Sequence, residues 1–178
     1  MESSDLVRQL LAFVHTMLEI RIDECPDEHL FELTAGAAVA SPGAQYAHVV
    51  LVEDMVTAEA LRSTPLFAAP EWRGAFGFEP QTYLNAEWVA NLRYDLAAFR
   101  TYAQRVYARS DEFLRDLSPE VATRPAKTYE VIRATPGVQY REVLMPLTYV
   151  FMDQVTMHIC EHTGEISAIV GLVRARTA

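Results

Sequence analysis

Hydrophobic and polar positions follow a helical period over most of the chain. Residues 4–22 repeat apolar side chains at three- and four-residue spacing. The members of this stripe are Leu6, Leu10, Phe13, Met17 and Ile20. That spacing predicts an amphipathic helix whose stripe faces the core. Residues 42–61 predict a second helix, because Ser41 is a favourable N-cap and Pro42 takes the first helical position, where a missing N–H costs nothing.

Two further segments predict helices in the second half of the chain. Residues 81–116 carry an apolar stripe and predict the longest helix, and residues 146–174 predict the last. The stripe of the longest helix comprises Tyr83, Trp88, Leu92, Leu96, Phe99, Tyr102 or Ala103, and Val106. Between the two helices, alternation around "TPG" predicts a small β-hairpin. Amphipathic helices with mostly irregular connections predict an all-α four-helix bundle, and a length of 178 residues predicts a single domain over residues 1–178.

Composition narrows the class of protein. Just over half of the residues (51%) are apolar, which is enough for a full core, and the formal net charge is −9. An acidic chain of this kind is not expected to bind nucleic acid or an anionic membrane surface. Cys25 and Cys160 are far apart and form no C-x-x-C motif, so a reducing compartment is expected. With no signal peptide at the N-terminus and no long uninterrupted apolar run, the expected location is the cytoplasm.

Candidate chemistry lies in the stretch "MHICEHTGEIS". His158 and His162 are four residues apart on the last predicted helix, so both imidazoles lie on one face and can reach one divalent ion. His48, in the apolar run "AQYAHVVLV", is expected on the core face of the second helix and is a candidate third ligand. Three neutral histidines would leave a coordination position open, as in catalytic sites. The alternative is a set of unrelated histidines, some of them buried and hydrogen-bonded.

The remaining histidines and the second cysteine have simpler expected roles. His15 lies off the stripe of the first helix, and His29 lies in the charged turn "PDEHLF". Both are expected at the surface or as caps. Cys160 points away from His158 on the helical wheel and is expected to be a buried structural cysteine rather than a ligand.

The pentapeptide "HICEH" also matches H-x-x-E-H, the pattern of inverted zincin proteases. Such proteases take their third ligand from a glutamate well downstream. Here the only acidic residue after His162 is Glu165, on the same helix, so the protease interpretation is disfavoured. Glu161 is then either a solvated helix residue or a hydrogen-bond partner that orients an imidazole.

Two longer stretches together carry a family resemblance. "DECPDEHLFELTAGAAVASPGAQYAHVVLVEDMV" resembles the early part of DinB-like (DinB/YfiT superfamily) proteins, and "MHICEHTGEISAIVGL" resembles their last helix, where H-x-x-x-H runs into G-[EQ]-I. The resemblance implies a four-helix bundle with a divalent metal held by His48, His158 and His162. It also implies a homodimer. Characterised members of this superfamily include metal-dependent S-transferases and isomerases that use a low-molecular-weight thiol such as bacillithiol or mycothiol.

The expected chemistry depends on the open coordination position. A bound thiol would become a thiolate, or a bound water would be activated for hydrolysis. Glu53, Asp54 and Glu165 are candidates for orienting ligands or transferring protons, the alternative for each being the solvent face. Three hypotheses stay open: a metal-dependent thiol transferase or hydrolase acting on a small molecule, a metal-binding or sensing bundle without turnover, and a bundle without metal. Three imidazoles suit zinc, nickel, copper or iron, and zinc or nickel is favoured.

Overall fold

A computed structural model of the protein describes residues 3–33, 40–72, 74–133 and 138–177. It is mostly helical, with one small antiparallel sheet, which agrees with the predicted all-α class. The α-helices are α1 (Ser3–Asp23), α2 (Pro42–Leu61), α3 (Ala86–Asn91), α4 (Leu96–Arg115), α5 (Pro119–Ala122), α6 (Leu147–Phe151) and α7 (His158–Thr177). The strands are β1 (Pro125–Arg133) and β2 (Val138–Pro146). Short 3₁₀ turns lie at Asp27–His29 and Leu66–Ala68.

The bounds predicted for the second helix are confirmed by its cap. The hydroxyl of Ser41 accepts a hydrogen bond from the backbone N–H of Ala44 at 3.3 Å, and Pro42 is the first residue of α2. The helix ends at Leu61, and Arg62 follows it in the left-handed region at φ 54°. Nearly all of α2 is buried, including Tyr46, so this helix runs through the middle of the core.

The long helix predicted over residues 81–116 is wrong at its N-terminal end. The chain forms the short α3, leaves helical geometry after Asn91 and begins α4 at Leu96. Asp95 starts the new helix, because its carboxylate accepts the N–H of Ala98 at 2.8 Å. Tyr94, in the break, donates its hydroxyl hydrogen to the carbonyl of Gly43 at 2.7 Å and so ties this segment to the start of α2.

The apolar stripe predicted to face the core from the first helix faces outward instead. The buried side chains of α1 are Val7, Leu11, Val14, Leu18 and Ile22, which also follow a three- and four-residue spacing. Leu6, Leu10, Phe13 and Ile20 of the predicted stripe are exposed. The helix carries two apolar stripes, and both satisfy the periodicity. The stripe that is buried is the one against α4 and α7, the neighbours of α1.

The core lies between the four long helices. α1 and α2 each pack against both α4 and α7, and also against each other. Large buried side chains from all four helices belong to one cluster, among them Leu18, Leu51, Phe99 and Ile166. The contact between α2 and α7 is the one that positions the predicted metal ligands.

The predicted hairpin between the last two long helices is present as β1 and β2. The strands pair antiparallel from Pro125 opposite Pro146 to Arg133 opposite Val138. The "TPG" turn itself, residues 135–137, lies outside the described residues.

The last helical segment contains a π turn that the sequence pattern did not predict. α6 continues into a π turn at Met152–Met157 and then into α7, so the helical segment runs without a break from Leu147 to Thr177. Thr128 of β1 donates to Asp153 in this turn at 3.0 Å and accepts from Gln154 at 2.9 Å. A π turn adds a residue and so rotates the helix after it, which makes the turn part of the positioning of α7.

None of the helices in the described part of the chain combines the length and apolar content required to span a membrane.

Candidate metal centre

His48, His158 and His162 meet where α2 packs against α7. Nε2 of His158 lies 3.1 Å from Nε2 of His48 and 3.1 Å from Nε2 of His162. One nitrogen from each ring lies within 4.8 Å of the others. The rings are steeply inclined to each other, with centroids 4.8–5.1 Å apart, so the nitrogens rather than the ring faces converge. The three histidines are therefore positioned to hold a metal ion.

These spacings fit a shared ion. Nitrogens that bind one zinc at about 2.1 Å each lie about 3.4 Å apart in tetrahedral geometry, close to the 3.1 Å found. Without a cation, Nε2 of His158 faces two other nitrogens at hydrogen-bond distance. If it carried a proton, that one N–H would have to serve both nitrogens, and if it did not, its lone pair would face the lone pair of a neighbouring imidazole. An ion at the centre accepts all three lone pairs, so the donor set fits a divalent metal that prefers imidazole.

Burial keeps two of the three imidazoles neutral. Desolvation, reinforced by the other two histidines, lowers the pKa of His48 from 6.5 to about 3. Desolvation and His162 lower the pKa of His158 to about 4. A metal ligand must be unprotonated, so these two side chains are ready to coordinate at neutral pH.

His162 is oriented by groups on both helices. Its Nδ1 lies 2.9 Å from a carboxylate oxygen of Glu165, one turn along α7, and 3.3 Å from the amide oxygen of Gln45 on α2. Both partners accept hydrogen bonds, so Nδ1 carries the proton and Nε2 presents its lone pair to the cluster. Gln45 was not among the residues suggested by the sequence. The signal that could have found it is its position three residues before His48, on the same helical face.

Unlike His162, His48 has no hydrogen bond that orients its ring from the outer nitrogen among the described residues. It is 8% exposed, and its Nδ1 is buried without a hydrogen-bond partner among the described residues. An unsatisfied buried N–H costs about 1–3 kcal/mol. A residue that lowers stability in this way is more often retained for function than for packing.

Glu53 lies away from the cluster, in a second buried polar group. It is fully buried rather than on the solvent face, and its carboxylate lies 2.7 Å from Nε2 of His15. The expected surface position of His15 is wrong as well, since this side chain is buried and stacks on Tyr107 at 3.8 Å between ring centroids. Glu53 therefore pairs α2 with α1 and does not orient an imidazole of the cluster.

Asp54 is also fully buried and also serves a different part of the core. Its carboxylate accepts from the hydroxyl of Tyr102 at 2.8 Å, from Arg109 at 3.2 Å and from the backbone N–H of Phe67 at 3.0 Å. These bonds fasten α4 and the connection after α2 to the core. Of the four acidic residues considered from the sequence, Glu165 alone has a hydrogen bond to the cluster among the described residues.

The remaining predicted positions lie outside the cluster. Glu161 is exposed, in agreement with a solvated helix residue. Cys160 is exposed too, so its expected burial is wrong, whereas Cys25 is buried. His29 ends a short 3₁₀ turn, is partly exposed and pairs with Glu32, which fits the role expected for it.

Comparison with known proteins identifies a structure with a similar fold but gives no information about the chemistry of the site. No family model matches the chain, and no curated protein matches it. A solved structure of a conserved protein from Enterococcus faecalis is similar over 96% of this chain and 95% of that one, with a TM-score of 0.70. The identity between the two is 16%, so this likeness shows a shared fold alone. Fold and site together define a mostly helical protein with a three-histidine cluster positioned for a metal ion.

Proposed function

We propose that this chain is a DinB-like four-helix bundle protein that binds one divalent metal ion through His48, His158 and His162. The observation that carries the proposal is the convergence of their three Nε2 atoms, with 3.1 Å between His158 and each of the others. The order of the motifs along the chain and the packing of α1, α2, α4 and α7 support membership of that superfamily. Zinc and nickel are the favoured ions, because both accept imidazole readily.

We further propose that the site catalyses S-transfer with a low-molecular-weight thiol as one substrate. Three protein ligands leave at least one coordination position open, which is the catalytic rather than the structural pattern. A divalent ion held there would lower the pKa of a bound thiol or water and so supply a nucleophile at neutral pH. Hydrolysis of a small molecule is the alternative use of the same position. The protein's own contribution is to keep the imidazoles of His48 and His158 neutral and to hold His162 through Glu165 and Gln45.

Elemental analysis of untagged protein purified without chelator, with zinc and nickel supplied, tests the metal. We expect about one divalent ion per chain in the wild type and in His29→Ala, a histidine outside the cluster, and none in His158→Ala. Absence of metal from the wild type, or retention of it in His158→Ala, would overturn the proposed centre.

A screen of the metal-loaded protein with low-molecular-weight thiols and small electrophiles tests the reaction. Metal-dependent loss of free thiol in the wild type, absent from His158→Ala, is the expected result. Bound metal without turnover on any thiol or hydrolysable substrate would instead indicate a metal-binding or sensing protein.

A further inference from the structure

A cavity with an excess of cationic side chains lies where the end of α2 meets the start of β1 and α6. Its volume is about 340 Å³, which is in the range of small-molecule sites. Its charged lining residues are Arg62, Arg124, Lys127 and Glu59. This space is here called the α2-end cavity. In a chain with net charge −9, cations collected around one cavity favour an anionic ligand.

The charge of the α2-end cavity sets it apart from other cavities of similar size. Three cavities of about 400–440 Å³ elsewhere in the described chain are lined by at least as many carboxylates as cations. The α2-end cavity also has an apolar part, because the buried side chains of Val56, Leu147 and Val150 line it. Cations beside apolar side chains suit an organic acid better than a small inorganic anion.

Two of the cations are available to a ligand. Lys127 pairs with Glu142 at 3.0 Å, whereas Arg62 and Arg124 have no ion-pair partner among the described residues. Arg124 donates to the carbonyl of Ala60 at 2.8 Å, which anchors its guanidinium at the cavity and leaves most of its N–H donors unused. A guanidinium presents such donors as a planar fork that matches the two oxygens of a carboxylate.

Arg62 occupies a backbone conformation that favours glycine. It follows α2 at φ 54° and ψ 46°, and within the described ranges it is the one residue other than glycine at positive φ. A helix that ends in this conformation usually has Gly here, because a Cβ is strained in the left-handed region. The side chain of Arg62 is exposed and has no hydrogen bond to another described residue that would offset the strain. Strained residues of this kind cluster at ligand sites.

The α2-end cavity and the three-histidine cluster lie along the same contact between α2 and the last helical segment. His48 meets His158 near the start of α2, whereas the cavity joins the end of α2 to α6. Glu59 follows His48 by eleven residues, which is about 16 Å of helix and within about 20° of the same direction around the axis. Val52 and Met55, between them on this face, are half-buried, so the described residues do not fully cover the face over that distance.

We propose that the α2-end cavity binds the carboxylate end of the thiol substrate whose sulfur binds at the metal centre. This inference rests on the proposed S-transfer function and narrows its substrate class. An extended ligand of tripeptide length spans about 10 Å, and the histidine and arginine side chains cover the rest of the distance. The substrate is therefore a small thiol that carries one or more carboxylates distant from its sulfur.

Calorimetric titration with glutathione and with its diethyl ester tests the cavity. Both probes carry the same thiol, but the ester has no free carboxylate. We expect the metal-loaded wild type to bind glutathione at least about tenfold more tightly than the ester, and Arg124→Gln to lose this preference because the guanidinium fork is gone. Arg105→Gln removes the same charge from an exposed arginine outside the cavity and should keep the preference.

Several results of this titration would overturn the proposal. They are equal binding of the two probes by the wild type, an unchanged preference in Arg124→Gln, and loss of the preference in Arg105→Gln, which would assign it to overall charge. Displacement of glutathione by an equal concentration of inorganic phosphate would indicate a simple anion site and would contradict the assignment to an organic acid.

Arg62→Gly separates ligand binding from folding. Glycine relieves the left-handed strain, so the urea midpoint should rise while the preference for glutathione over the ester is lost. A lower urea midpoint, or an unchanged preference, would contradict the proposal that Arg62 is present for the ligand.

Metal analysis distinguishes failure of this inference from failure of the proposed function. Arg62→Gly and Arg124→Gln should hold as much metal as the wild type, because neither residue is a proposed ligand. If the wild type holds no metal, the S-transfer proposal fails, and the preference for glutathione over the ester in metal-free protein still decides whether the cavity binds carboxylates. Loss of metal from a folded Arg124→Gln protein would contradict a role confined to the substrate.

Discussion

A carboxylate oxygen of Glu165 lies 2.9 Å from Nδ1 of His162, one turn along the same helix. Because a carboxylate accepts hydrogen bonds, it fixes the tautomer whose Nε2 faces the other two imidazoles. Glu165 therefore orients a proposed ligand without being one itself. Substitution of Glu165 should weaken metal binding and leave all three ligands in place.

Glu165→Ala should lower the metal affinity about 10–100-fold, because the imidazole of His162 loses its orienting partner. Glu161→Ala is the matched control, since Glu161 lies one turn earlier on α7 and is exposed. Titration against a competing chelator measures both affinities. An equal loss in the two variants would show that the effect is general helix electrostatics and not the bond to His162.

His48→Leu should abolish stoichiometric metal binding and leave the metal-free fold as stable as the wild type or about 1 kcal/mol more stable. The reason is that the substitution removes a buried Nδ1 that has no partner among the described residues. Urea unfolding in excess chelator gives the comparison. A loss of several kcal/mol in the metal-free variant would mean that His48 is retained for packing.

Acid should destabilise the metal-free protein from about pH 6.5 downward. In the folded chain the pKa of His48 is about 3 and that of His158 about 4, whereas both begin from 6.5 when unfolded. Between these values the unfolded chain binds more protons, so the free energy of unfolding falls as pH falls. Urea midpoints from pH 7.5 to pH 5 should decline less steeply in His48→Leu than in the wild type. Identical slopes would place the acid sensitivity in other groups.

His15→Leu should lower the free energy of unfolding by about 3 kcal/mol and leave the metal content unchanged. It strands the fully buried carboxylate of Glu53, whose partner lies 2.7 Å away in the native protein. Urea unfolding together with elemental analysis separates the two effects. Loss of metal in a folded His15→Leu protein would show that this pair supports the metal centre after all.

Local features were accessible from the sequence because they depend on neighbours in the chain. Ser41 and Pro42 mark the start of α2 by side-chain chemistry within one turn, and the pair His158 and His162 lies on one face because of helical geometry alone. The approach of His48 to this pair was expected from its apolar surroundings and from the family resemblance. The packing of α2 against α7 brings the three together.

Periodicity alone establishes that α1 is an amphipathic helix, whereas helix packing selects which of its two apolar stripes is buried. Both apolar stripes of α1 follow the helical period, so the sequence does not distinguish the stripe of Leu11 from that of Phe13. Packing of α4 and α7 against α1 buries Leu11 and leaves Phe13 exposed. The same holds for two acidic residues, Glu53 and Asp54, which the sequence alone suggests are solvated. Their partners His15 and Arg109 lie on other helices and meet them only in the folded protein. The order of residues was enough to locate the long helices, except for the break between α3 and α4, and to give the donor types of the centre. Burial, partners and charge state were set by helix packing, because they depend on residues distant in the chain.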